Sequence, residues 1–343
     1  STNAASRSTI KFNTNGNDWE IGARGSSGSP NNTFYFFDNA NSRYRMIIDS
    51  SGRLLVGENH TSARIVGNVT SQMQLEGLDA STGISITRNS NNSSSPYISF
   101  AKSRSGSVGG NTIVQVNDGI GTILFSGADG TDITNNAASI GAFIDATPGG
   151  NDTPGRLVFS TSADGGVAPI ERLRIDSSGN VLVGTTDSTV YANGDSASEG
   201  IVLRNGEVID IARKGDLQLT LNRQTNDGPH IAFYRSGGVK SYISTRSNAF
   251  CIDVGSSVTE RLRIDTSGQM GLGVVPNSNW PSNNDFKALQ IGTGFCAFGR
   301  GSGDEDRGGI AANWYSTGSA NKYIGNGNAA RIYLADGNIY FSN

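Results

Sequence analysis

Apolar residues along this chain come in short runs that alternate with polar ones. Leu173 and Ile175 flank Arg174, and a few residues later Val181 and Val183 recur at the same spacing. A period of two places such side chains on one face of a β-strand. Runs of this kind, about five residues long, continue to the end of the chain. Turn signals separate them, among them Asn15-Gly16, Asp118-Gly119, Asp129-Gly130 and Asn205-Gly206. No window carries the 3.6-residue period of an amphipathic helix. The pattern predicts an all-β fold.

One pattern is repeated three times. Arg45–Gly57, Arg172–Gly184 and Arg261–Gly273 align so that Arg, Ile, Asp, Ser and two Gly keep their places. Each copy reads as a β-hairpin. Asp49, Asp176 and Asp265 suit the first position of a turn, where a carboxylate accepts main-chain N–H groups. Gly52, Gly179 and Gly268 follow three residues later, where a left-handed backbone starts the return strand. These residues are expected to be architectural. The intervals Arg45 to Arg172 and Arg172 to Arg261 are unequal, so coils of constant period, as in a β-helix, are not expected. The closing glycines predict modules at 1–57, 58–184, 185–273 and 274–343, each β-rich and ended by the hairpin except the last. That last stretch has its own hairpin signal, Arg331–Phe341, with Asp336-Gly337 as the turn. A second similarity links Ile84–Asn89 and Pro96–Ser103 to Leu219–Gln224 and Pro229–Ser236, each pair predicted as two strands around a polar turn.

Composition then restricts how such strands can be stable. Of 343 residues 46 are Gly, only 35% are apolar and 17% are charged, with a net charge of −3. Disorder is disfavoured because β-branched and aromatic residues recur throughout. Little core per residue instead predicts oligomerisation, which hides sheet edges and apolar faces. Basic residues are scattered singly, unlike the clusters that bind nucleic acid. No apolar run reaches the roughly 20 residues that span a bilayer, so neither nucleic acid nor membrane insertion is expected. Cys251 and Cys296 could form one bridge, but two buried free thiols are the favoured reading.

The run Glu171–Thr186 closely resembles a segment common in bacteriophage tail fibres and tailspikes, often found upstream of an endosialidase-type intramolecular chaperone. Glu260–Gly273 is a second match, and Trp19–Gly22 with Tyr44–Met46 a looser one. The resemblance implies an elongated, parallel homotrimer of short-strand β-modules, either prism- or sandwich-like or intertwined. It also implies a place on the virion, outside the cell, contacts with other tail or baseplate proteins, and attachment to a host glycan or protein receptor. A chaperone released by self-cleavage near a serine is implied as well. Ile339–Asn343 is the kind of strand that would directly precede one.

His60 and His230 lack a G-x-S-x-G elbow nearby and read as structural. The acidic cluster Asp304-Glu305-Asp306 stands between Arg300 and Arg307 and reads as a salt-bridged loop rather than an acid/base pair, with glycan or ion contact as its alternative use. No catalytic residues, metal site or cofactor are expected. Aromatic faces and polar groups suit sugar recognition. The expected receptor-contacting residues are therefore Trp280, Arg300, Asp304, Asp306, Trp314 and Tyr315, with Tyr323 and Tyr340 in the same cluster. Three alternatives stay open at this level: a shaft without a receptor site, a bacterial adhesin, surface filament or phage-derived injection device, and, on weaker grounds, a polysaccharide-depolymerising tailspike.

Overall fold

A computed structural model describes the chain apart from residues 1–6, 17, 28–29, 193–197, 256–258, 281–286, 300–307, 317–320 and 325–326. Regular structure among the described residues is β-strand with one short 3-10 turn, Val190–Ala192. The chain forms two compact units, Ser1–Gln218 and Leu219–Asn343.

The first unit holds two sheets. One has six strands in sequence order: β1 (Arg7–Phe12), β2 (Trp19–Arg24), β3 (Thr33–Asp38), β4 (Arg43–Ile48), β5 (Leu54–Gly57) and β6 (Met73–Glu76). The other has seven: β7 (Gly119–Ser126), β8 (Asn136–Ile144), β9 (Gly155–Thr161), β10 (Ile170–Ile175), β11 (Val181–Val183), β12 (Gly200–Arg204) and β13 (Val208–Ala212). The second unit is built on a ten-stranded sheet. It contains β14 (Gly228–Arg235), β15 (Gly238–Arg246), β16 (Ala249–Val254), β17 (Thr259–Ile264), β18 (Met270–Leu272), β19 (Lys287–Ile291), β20 (Phe295–Gly299), β21 (Gly308–Ala312), β24 (Ala330–Ala335) and β25 (Asn338–Ser342). A two-stranded ladder, β22 (Trp314–Ser316) with β23 (Asn321–Tyr323), stands beside it in sequence.

The three copies of the repeated motif are the hairpins β4–β5, β10–β11 and β17–β18. Their turns share one set of bonds. The Oδ1 atom of Asp49 accepts from the N–H groups of Ser51 and Arg53, at 2.9 and 3.0 Å. Asp176 does the same with Ser178 and Asn180, and Asp265 with Ser267 and Gln269, at 2.8–2.9 Å. Gly52, Gly179 and Gly268 have φ values of 77, 82 and 77°, a conformation costly for any other residue. Burial alone would push the Asp49 carboxyl up. The Arg53 main-chain and guanidinium donors and the Ser51 N–H outweigh it and hold the group below the usual carboxylate range. The C-terminal hairpin β24–β25 turns on Asp336 and Gly337, both at positive φ.

After each hairpin the chain does not begin a new sheet. Beyond Gly57 it crosses over and returns as β6, parallel to β5. Beyond Gly273 it returns as β19, parallel to β18. Parallel neighbours need a crossover of about a dozen residues or more, and 58–72 and 273–286 provide one. Beyond Gly184 the chain returns as β12, antiparallel to β11. The stretches 1–57, 58–184, 185–273 and 274–343 therefore do not coincide with sheets, each of which runs across a closing glycine.

The crossovers cover one face of their sheets. Tyr35, Ile47 and Leu55 are buried on that face of the first sheet, with Ala63 of the crossover packed against them. Leu182 and Val202 are buried under Val190 of the 3-10 turn. In the second unit Trp280 of the crossover packs with Ala288, Cys296, Ala311 and Trp314. Some polar groups on these faces are paired: the Tyr35 hydroxyl donates to buried Glu20 at 2.5 Å, and Ser244 donates to buried Asp253 at 2.6 Å.

One expectation differs from the fold. Pro229–Arg235 lies within β14, but Ile84–Asn89, Pro96–Ser103 and Leu219–Gln224 belong to no ladder. These stretches have the alternation of strands, yet they ladder to none of the sheet edges among the described residues.

Candidate interaction surface

The face opposite the crossovers follows from register. Ile10 pairs with Ile21, Ile21 with Phe36, Phe36 with Met46, Met46 with Val56 and Val56 with Leu75, forming one apolar row across six strands. A second row joins Phe12 with Trp19, and a third joins Phe34, Ile48, Leu54 and Met73. None of these side chains is buried.

The seven-stranded sheet repeats the arrangement. Ile123, Ile140, Phe159, Leu173, Val183, Ile201 and Ile211 make one row, and Leu157, Ile175, Val181, Leu203 and Ile209 another. In the ten-stranded sheet Ile243, Ile252, Leu262, Leu272, Ile291 and Phe295 make one row, and Phe250, Ile264, Met270, Leu289, Ala297, Ile310, Ile332 and Phe341 another. Again none is buried. An open groove of about 450 Å³ lies on this face, lined by Phe295, Ile310, Ala312, Ala330, Ile332 and Phe341. Each of the three large sheets thus has a cored face and an opposite one whose apolar rows are not buried. Monomeric proteins rarely expose contiguous apolar patches larger than a few hundred Å².

The expected receptor residues are distributed differently from the expectation. Trp280 and Trp314 are 3% and 4% exposed and meet edge to face with ring centroids 5.8 Å apart. They form the core under the crossover, so as described they cannot stack on a sugar. No local feature of the sequence tells a buried aromatic from an exposed one. Tyr315 is half-buried against Trp280, with centroids 6.1 Å apart. Arg300, Asp304 and Asp306 lie outside the described residues. The accessible aromatic groups are elsewhere on the same side. Tyr333 and Tyr340 stack at 5.0 Å with 17° between their planes, and the Arg331 guanidinium lies 4.2 Å from the Tyr333 ring. Tyr323 and Tyr340 are exposed. A small groove beside them is lined by Trp314, Lys322, Tyr323, Arg331 and Ser342, mixing ring faces with hydrogen-bonding groups.

Reactive side chains have structural surroundings. Cys251 and Cys296 are free and buried, and burial pushes both thiols up to about 11. His230 contacts the Thr245 hydroxyl at 3.1 Å. His60 is buried, with Glu76 at 3.4 Å. Among the described residues, three or more His, Cys, Asp or Glu side chains nowhere group as metal ligands, and no helix is long and apolar enough to cross a membrane.

No family model matches the chain, and no curated protein matches it. Solved structures that are similar include the carboxy-terminal domain of the bacteriophage T5 L-shaped tail fibre, at 14% identity and a TM-score of 0.40, covering 62% of this chain and 88% of that one. The same domain with its intra-molecular chaperone domain matches at 13% identity and a TM-score of 0.41, covering 64% of this chain and 63% of that one. Both are parts of a phage tail fibre.

Proposed function

We propose that the chain is a structural and receptor-binding segment of a bacteriophage tail fibre, assembled as a parallel homotrimer. The observation that carries the assembly is the uncovered apolar face common to all three large sheets. A face of this kind is stabilised by removal from water, and a second and third copy supply matching surface without any further protein. The number three comes from the tail-fibre resemblance. With the apolar faces turned inward, the crossover-covered faces look outward, and the Tyr333–Tyr340 stack with Arg331 and Tyr323 is available to a cell-surface glycan. Three copies would convert weak sugar contacts into useful avidity. The chain acts by binding and has no catalytic step; other tail or baseplate proteins hold the fibre on the virion.

The receptor half of this reading is tested on a glycan array with fluorescent protein. Tyr323→Ala combined with Tyr340→Ala is expected to lower apparent binding at least tenfold, with the assembly's mass unchanged. Binding that survives the double variant moves the contact elsewhere on the chain. Absence of any glycan or host-cell binding by the parent protein favours a shaft that carries another protein's receptor site.

A further inference from the structure

Residues 83–103 follow the edge strand β6 and precede the edge strand β7. Within them no main-chain group is hydrogen-bonded to another main-chain group among the described residues. Their side chains nevertheless alternate as in a strand. Ile84 and Ile86 flank Ser85, and Ile98 and Phe100 flank Ser99. Ile84 is 73% and Ile98 70% exposed, so within one chain the apolar side chains stay in water and the main chain makes no ladder.

The same chain contains a comparison. Pro229–Arg235 has the pattern of Pro96–Lys102, and it ladders to β15 with Ile231 opposite Ile243. This sequence type therefore forms a strand where an edge is offered. The edges nearest in sequence to 83–103 are β6, paired only with β5, and β7, paired only with β8. Phe100 lies over Gly121 of β7, a position where any Cβ would meet its ring, so the segment rests on the apolar face and leaves the β7 edge open. An open edge and an unladdered strand in each copy are complementary, and identical copies satisfy both together.

We propose that residues 84–103 are exchanged: in the assembled protein they form strands whose ladder partners belong to a second copy of this chain. The inference rests on the homotrimer reading and adds that the copies are stitched through their backbones as well as pressed together through apolar faces. The connector is then one of the elements that hold the assembly, and separation of the copies requires it to be withdrawn.

Two readouts on the full chain test this. Hydrogen–deuterium exchange on the unmodified protein is expected to show amides within 84–89 and 96–103 at least a hundredfold slower than free-peptide rates. A photo-crosslinking phenylalanine analogue at Phe100 or Ile86, irradiated in purified protein, is expected to give bands at two or three chain masses on a denaturing gel. Unprotected amides in a sample of trimer mass overturn the exchange and leave the trimer intact. Protected amides with only single-chain crosslinks overturn it too, because the partner then lies in the same chain. A sample of monomer mass overturns both.

Discussion

Gly57, Gly184 and Gly273 hold equivalent places in the repeated motif, but only one is confined by its neighbours. At Gly57 φ is +143°, and a Cβ there would run into the Glu76 carbonyl oxygen of the adjacent parallel strand. At Gly184 and Gly273 φ is +70 and +66°, with open space around each. Gly184→Ala is thus expected to cost about 1–2 kcal/mol for the left-handed backbone alone. Gly57→Ala adds a main-chain clash and should cost more than about 3 kcal/mol. Thermal unfolding followed by circular dichroism checks this, and equal melting temperatures for the two variants would contradict it. The turn residues Asp49, Asp176 and Asp265 were legible in the sequence, because an Asp turn with Gly three residues on is settled by local bonding. Trp280 and Trp314 were not, since their burial is set by where a crossover lands.

Among the elements, the hairpins and their alternation were readable, and so was the C-terminal hairpin β24–β25. The returns from β5 to β6 and from β18 to β19 were not, because parallel pairing across a crossover leaves no turn signature. Pairing of residues 84–103 was illegible for a different reason: alternation marks a strand but does not say which edge, or which copy of the chain, it pairs with. The uncovered faces make a prediction about single strands. Ile175 sits mid-row on the apolar face of β10 and is exposed in one chain, so Ile175→Asp is tolerable in an isolated copy. In an assembly that buries the row, a carboxylate there costs on the order of several kcal/mol per copy. Size-exclusion chromatography should show the Asp variant dissociated or aggregated while Ile175→Val stays assembled. An Asp variant that elutes with the parent protein would mean that this row faces water.

At the scale of the whole molecule, the three buried clusters among the described residues lie on the crossover side of the large sheets, and the apolar rows lie on the other. Low apolar content predicted that a single copy lacks sufficient core, and the faces give that shortage a location. The central claim is that these faces close on other copies of the same chain. Sedimentation equilibrium or light scattering of the purified protein tests it most directly. The account predicts one species near three times the 35.9 kDa chain mass, unchanged on dilution to nanomolar concentration. A folded species of single-chain mass would contradict it.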